Sequence, residues 1–286
     1  RETWKETCTR AVEYNCSLAK TSGTEAEELF DAMFNLKQAL SGRTLWVGGT
    51  EVAEKYPLSN FNCAFTVMDS VEAIRDLFYL LMVGTGVGFR ILKEDVAKFP
   101  KVKQDIKLTH KEYIAKPKMF RDELSSLEFF GDFPKVTIKI GDSKEGWVQG
   151  ITHYFEVLTN PLIRVNEIEI DYDSVRPKGE RLQTFGGTAS GHESLQTMFQ
   201  KIHNVITTDM YAPIAENGKL RPIHLLDICN IIGENVVVGG VRRTSEIALL
   251  DENDIESIEA KLNLTPEKYH RFMSNNSIYY TRETQT

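Results

Sequence analysis

Cysteine is scarce and scattered: the 286 residues hold four, Cys8, Cys16, Cys63 and Cys229, and no C-x-x-C pair. That spacing speaks against a disulfide framework and against a zinc ribbon. The six histidines form neither an H-E-x-x-H motif nor a close pair, so no metal site is expected. No apolar run approaches the roughly 18 residues of a membrane span. The opening Arg1-Glu2-Thr3-Trp4-Lys5 lacks the apolar stretch of a secretory signal, and without an initiator Met, residue 1 is not expected to be the start of the gene product. An excess of positive charge is also missing. Lys plus Arg is 34 and Asp plus Glu is 41, a net charge of −7. This argues against a general nucleic-acid coat. It leaves room for small phosphorylated ligands, which need only a few placed cations and backbone N–H groups. Repeats and low-complexity tracts are absent too. These absences together describe an intracellular, cytoplasmic, soluble protein with reduced thiols and no membrane or nucleic-acid partner.

What is present is globular in proportion, with 41% hydrophobic and 26% charged residues. The length allows about two domains or one large one. The first ~40 residues read as helices, with Leu29, Phe30, Met33, Phe34 and Leu36 near one face of 25–40. Thr44-Leu45-Trp46-Val47 reads as a short extended piece and 62–68 as a strand. The clearest element is the next helix. Asp69 and Ser70 are good caps, Glu72 suits the dipole, and Ile74, Leu77, Phe78, Leu81 and Met82 repeat at helical spacing. Gly84 can supply a left-handed cap, and 87–92 resumes as a strand; strand, helix, strand favours a parallel pair. Residues 93–134 are charged and weakly patterned, as in an insertion. A strand at 136–140 follows, then a helix opened by Asp142 and Glu145 and running to about Leu158. Ile168, Ile170 and Tyr172 alternate with acids as in a half-buried strand. Helices carrying Leu195 to Ile206 and Leu225 to Val236 follow, then strands at 246–250 and 277–280. Strands alternating with helices give an α/β protein, part of a barrel.

Several segments can carry chemistry. Gly84-Thr85-Gly86-Val87-Gly88 invites a dinucleotide reading, but its glycines follow a helix and precede a strand, and the spacing is G-x-G-x-G. A cap with a tight turn, or a strand against which a ligand lies, fits better. Ser190-Gly191-His192-Glu193 opens a helix, as an anion site or an ordinary cap. Gly239-Gly240-Val241-Arg242-Arg243 sets guanidinium groups beside pliant backbone, suited to a phosphate or base edge or to a solvated turn. Cys63 alone, and Cys229 on an apolar helix, read as small core residues. Trp46 and Trp147 read as core aromatics.

Taken in order, these pieces resemble a known family. Ser41 to Trp46, Asn62-Cys63, Gly84 to Phe89, Glu145-Gly146-Trp147, Phe185 to Gly191, Asp227 to Asn230, Val241 to Arg243 and Ser274 to Ser277 follow the pattern of the catalytic subunit of ribonucleotide reductases. The likeness is greatest to the monomeric, adenosylcobalamin-dependent (class II) ribonucleoside-triphosphate reductases, and runs to about residue 280. It implies part of a ten-stranded α/β barrel of two five-stranded halves. Residues 1–43 would be a helical N-terminal segment and 44–286 the first part of the barrel, with an insertion at about 93–134.

The resemblance also implies an activity. Ribonucleotides are reduced to deoxyribonucleotides by a cysteine thiyl radical and a dithiol, for DNA precursor synthesis. Adenosylcobalamin is the cofactor it implies, and cofactor chemistry makes the radical. By the same likeness Cys63 is one of two reducing cysteines. Thr44, Asn62 and Gly86 touch the substrate, Asp69 and Ser70 hold a deoxynucleotide (dNTP) effector, and Gly239, Gly240, Val241, Arg242 and Arg243 form the specificity loop. The implied partners are a ribonucleotide, the effector, and a thioredoxin-like or dithiol reductant. The family's N-x-C-x-E thiyl motif does not occur here. The chain is therefore expected to be an N-terminal portion, a domain or one piece of a split enzyme, inactive alone and completed by a chain carrying the thiyl loop. The alternatives are a class I catalytic chain with a separate radical-generating subunit, a non-catalytic deoxynucleotide-binding fragment, and an unrelated α/β domain.

Overall fold

Side-chain capping starts the first helices. In the computed structural model, which describes residues 2–129, 134–181, 188–238, 245–262 and 264–280, the chain divides into two compact units, Arg1–Asn62 and Cys63–Thr286. In the first unit, Thr3 and Glu6 close a capping box on α1 (Trp4–Ala19), and Ser22 and Glu25 close another on α2 (Gly23–Phe34). Cys8, Ala11, Val12 and Met33 form its small core. The piece expected to be extended is instead helix α3 (Gly42–Val47). β-branched and aromatic residues at 44–47 favour a strand, but Ser41 Oγ accepts from Thr44 N at 3.2 Å. Arg10 then gathers the emerging carbonyls, donating to Leu45 O at 3.0 Å and to Gly48 O. Local caps and one guanidinium outweigh a weak strand propensity. A short helix α4 (Glu51–Lys55) completes the unit.

The second unit begins with β1 (Cys63–Val67), α5 (Val71–Met82) and β2 (Gly86–Arg90). Ser70 caps α5, and Ile74, Leu77, Phe78 and Leu81 are fully buried. Gly84 adopts φ +85 beyond the helix end, with its N–H on Leu81 O at 2.9 Å. That left-handed turn lets β2 return parallel to β1. The first sheet has the order β1-β2-β7-β8, all parallel, where β7 is Glu246–Asp251 and β8 is Ser274–Tyr279.

Between β2 and β7 the chain builds a second sheet of order β3-β6-β5-β4. After a turn of helix α6 (Lys93–Val96), its strands are β3 (Lys107–His110), β4 (Ser126–Phe129), β5 (Lys135–Lys139) and β6 (Glu167–Asp171). Only β4 pairs antiparallel. The weakly patterned segment 93–134 thus contributes two strands. Its Val96, Phe99, Val102 and Ile106 also enter the main core. Strands of four residues with one charged face leave too short an alternation to stand out.

Helices α7 (Lys144–Thr159), α8 (Glu193–Thr207) and the largely buried α9 (Pro222–Val238) carry most of the remaining core. Ser143, rather than Asp142, caps α7 by accepting from Gly146 N at 2.9 Å. Asp142 binds Arg176 at 2.8 Å instead. Gly146 is required by close approach, since a Cβ there would lie 2.5 Å from Glu123 O. A short α10 (Ile255–Ile258) leads toward β8.

Candidate active site

The strand register sets Cys63 directly opposite Gly86, and Phe65 opposite Gly88. Gly88 in turn faces Ile247 on β7. Alternate residues of a strand share a face, so Cys63, Phe65, Gly86, Gly88 and Ile247 look the same way. The opposite face, with Met68, Phe89, Ala248 and Leu250, is sealed under helices. The Cys63 face is open: Cys63 is an exposed free thiol, Gly86 is half-buried, and Phe65 and Ile247 are 55% and 40% exposed. All-parallel sheets are ordinarily covered on both sides. This apolar, cysteine-bearing face is the part of the unit that most resembles a surface awaiting a ligand or further polypeptide. Farther along it, Arg90 is held by Asp95 at 2.8 Å and stacks 5.6 Å from the Tyr279 ring centre.

The other expected site residues are placed as follows. Asp69 and Ser70 lie past the C-terminal end of β1, the end away from Cys63, where Ser70 Oγ accepts from Ala73 N at 3.4 Å. Any ligand they hold is separate from one at Cys63. Thr44 belongs to the first unit, in α3, with its hydroxyl 3.0 Å from Ser41 Oγ. Asn62 is exposed and precedes Cys63 directly. Gly239 to Arg243, and Phe185 to Gly187 of the glycine loop, lie outside the described residues. At the end of that loop Gly191 takes φ +86, and His192 after it stacks on Tyr113 at 3.9 Å. The 84–88 glycines act as cap, turn and strand, not as a dinucleotide loop. Trp46, expected in a core, is 53% exposed, whereas Trp147 packs against the main core.

Two buried polar groups escaped the sequence reading. Asp227 on α9 is fully buried and accepts from Arg271 Nε at 2.6 Å, Arg271 Nη2 at 2.7 Å and His270 Nε2 at 2.8 Å. Burial pushes its carboxyl up, but these donors outweigh it and hold it below the usual carboxylate range. Glu246, first residue of β7, is 3% exposed, and among the described residues neither of its oxygens has a hydrogen-bond partner. Burial raises its carboxyl well above the usual carboxylate range. It presses on Gly233, where a Cβ would lie 2.6 Å from its Oε2. In the sequence Asp227 shows only as an acid among the apolar residues of its helix, with nothing local to point to its partners. Among the described residues no group of three or more His, Cys, Asp or Glu could hold a metal ion, and no helix is long and apolar enough to cross a membrane.

Comparison with known proteins bears on this arrangement. Residues 1–50 match the family model for the ribonucleotide reductase alpha domain, and residues 114–206 match that for the insertion domain of B12-dependent ribonucleotide reductase. Adenosylcobalamin-dependent ribonucleoside-triphosphate reductases of Lactobacillus acidophilus and Lactobacillus leichmannii are 32% and 30% identical, over 97% of this chain. A crystal structure of a B12-dependent (class II) ribonucleotide reductase superposes with a TM-score of 0.79 at 28% identity, again over 97% of the chain. The chain is homologous to the class II ribonucleotide reductases. It spans 42% of the length of the curated relatives it matches, and corresponds to their N-terminal part. Its parallel sheets and covering helices are those of a partial reductase α/β barrel.

Proposed function

We propose that this chain supplies a reducing cysteine and part of the substrate pocket of an adenosylcobalamin-dependent ribonucleoside-triphosphate reductase. The observation that carries the reading is the position of Cys63. It is a free, exposed thiol at the head of β1, facing Gly86 on the open side of a parallel sheet. A core cysteine would be sealed, as Cys8 and Cys229 are. The match to the B12-dependent insertion domain favours class II over class I. In domain terms we divide the chain into a helical N-terminal segment, 1–43, and the first part of the barrel, 44–286, with an insertion at about 93–134 that overlaps the start of the 114–206 match to the insertion-domain model.

The reaction replaces the ribose 2′-hydroxyl with hydrogen. A thiyl radical on another cysteine takes the 3′-hydrogen and returns it at the end. The 2′-oxygen leaves as water, and C2′ gains a hydrogen. Two thiols give up two electrons and two protons and close one disulfide, which balances the step. Cys63 is one of those thiols, and its exposure lets a thioredoxin-like or dithiol reductant reset it by exchange. Cys8 and Cys229, by contrast, are sealed in apolar cores, where a reductant does not reach them. Thr44, Asn62 and Gly86 contact the substrate. Asp69 and Ser70 hold the deoxynucleotide effector, and Gly239 to Arg243 relate effector to substrate base.

Adenosylcobalamin supplies the radical chemistry when bound. The cavity of about 650 Å³ on the second sheet is lined by four charged side chains, Lys107, Lys135, Glu167 and Glu169, with Pro134, Thr137 and Asn166, and that charged lining does not fit a corrin.

The test is turnover of a ribonucleoside triphosphate with adenosylcobalamin and a dithiol, by the polypeptide that completes this chain. Cys63→Ser should abolish multiple turnover and leave effector binding intact; normal turnover would remove the assigned role. Arg242→Ala should blur the choice among bases more than it slows the reaction, and an unchanged base preference would contradict the loop's role.

A further inference from the structure

We infer that Phe65 is the platform on which the sugar of the ribonucleotide rests beside Cys63. The inference depends on the reading of Cys63 as the sugar-facing thiol. Phe65 lies two residues along β1 on the same face, about 6.6 Å away at the rise of a parallel strand. One furanose ring spans that interval, so a sugar that touches the sulfur meets the ring as well.

The strand beside it is shaped for the ring to lie flat. A Cβ at Gly88 would stand 3.0 Å from Phe65 Cδ2, 3.7 Å from Phe65 Cε2 and 3.2 Å from Ile247 Cγ2. A side chain at Gly88 would crowd the ring, which would have to give by a few tenths of an ångström. Ile247 approaches from β7 and bounds it on the far side. Gly88 is therefore buried although it sits on the open face, whereas Phe65 remains 55% exposed. A large aromatic seated on glycine, half open to solvent and next to a free thiol, is a poor core residue and a good binding surface. The apolar C–H face of a ribose is common to all ribonucleotides, so a contact there is indifferent to the base.

The experiment is alkylation of Cys63 in the reductase that contains this chain, followed by peptide mass spectrometry, with and without ATP, CTP or UTP. Half-buried Cys16 serves as internal reference. Each nucleotide should slow alkylation of Cys63 in the parent. Phe65→Ala and Phe65→Leu should weaken that protection about three- to tenfold for all three, with Phe65→Tyr close to the parent. Gly88→Ala, which lifts the ring, should behave like Phe65→Ala. Thermal unfolding of each variant confirms that the fold is kept. If the parent is protected and Phe65→Ala is protected equally well, the platform is refuted while the reading of Cys63 stands. Loss confined to one base would also refute it, as the mark of a base platform. If no nucleotide protects the parent, the sugar-facing reading of Cys63 fails, and the platform with it.

Discussion

Asp227→Ala is expected to be among the most damaging single changes in the second unit. Asp227 is completely buried, and it receives two bonds from the Arg271 guanidinium and one from His270. Arg271 spends its other donors on Ala260 O at 3.0 Å and Tyr211 O at 2.9 Å, and is only 5% exposed. Removing the carboxylate strands a guanidinium with no route to water. Breaking a buried pair from one side costs about 3–5 kcal/mol. In a unit of this size that lowers the melting temperature by roughly 6–20 °C. The damage has a direction: His270 and Arg271 end the turn Pro266–Phe272, and β8 begins at Ser274, so the edge strand of the first sheet should loosen first. Urea unfolding measures the cost, and hydrogen exchange locates it. Asp227→Leu with Arg271→Met should recover most of the loss, because two apolar groups leave no buried charge. A loss under about 1 kcal/mol for Asp227→Ala would refute the reasoning.

Glu246 has its carboxyl raised, so it contributes stability that is complete below the ordinary value of 4.5 and is lost as pH rises. The stability of the parent relative to Glu246→Gln should fall by about 1.4 kcal/mol per pH unit above that value until the buried acid ionises. A pH-independent difference in urea unfolding would contradict this. Gly146→Ala should cost about 1–3 kcal/mol despite the better helix propensity, because its Cβ meets the backbone at Glu123. Gly23→Ala, with nothing within 4 Å, should be neutral or stabilising by up to about 1 kcal/mol on the same assay. Equal effects at the two glycines would refute the steric account.

How legible these features were in the sequence follows from the range of the forces behind them. Helix α5 was plain because its cap, its apolar stripe and its terminal glycine all lie within 15 residues or so and agree with one another. The parallel pairing of β1 and β2 followed from that helix between them. Helix α3 was misread because its decisive partner, Arg10, is 35 residues away from Leu45. The strands β3 and β4 hid in a charged segment, since one face of their sheet is a lattice of ion pairs such as Lys135–Glu169 and Lys139–Glu128. The Asp227 triad joins residues more than 40 positions apart, and no local pattern announces it. As for the site, no single motif disclosed Cys63: alone it read as a core residue. Only the order of many modest motifs singled it out, and the sheet then set it on an open face beside Gly86.

The central claim is that the sulfur of Cys63 is consumed and restored in each turnover. Its most direct test is one turnover of the completed enzyme without external reductant, followed by non-reducing peptide mapping. The account predicts one deoxynucleotide formed per enzyme and Cys63 recovered in a disulfide. Deoxynucleotide formed while Cys63 stays a free thiol would contradict it.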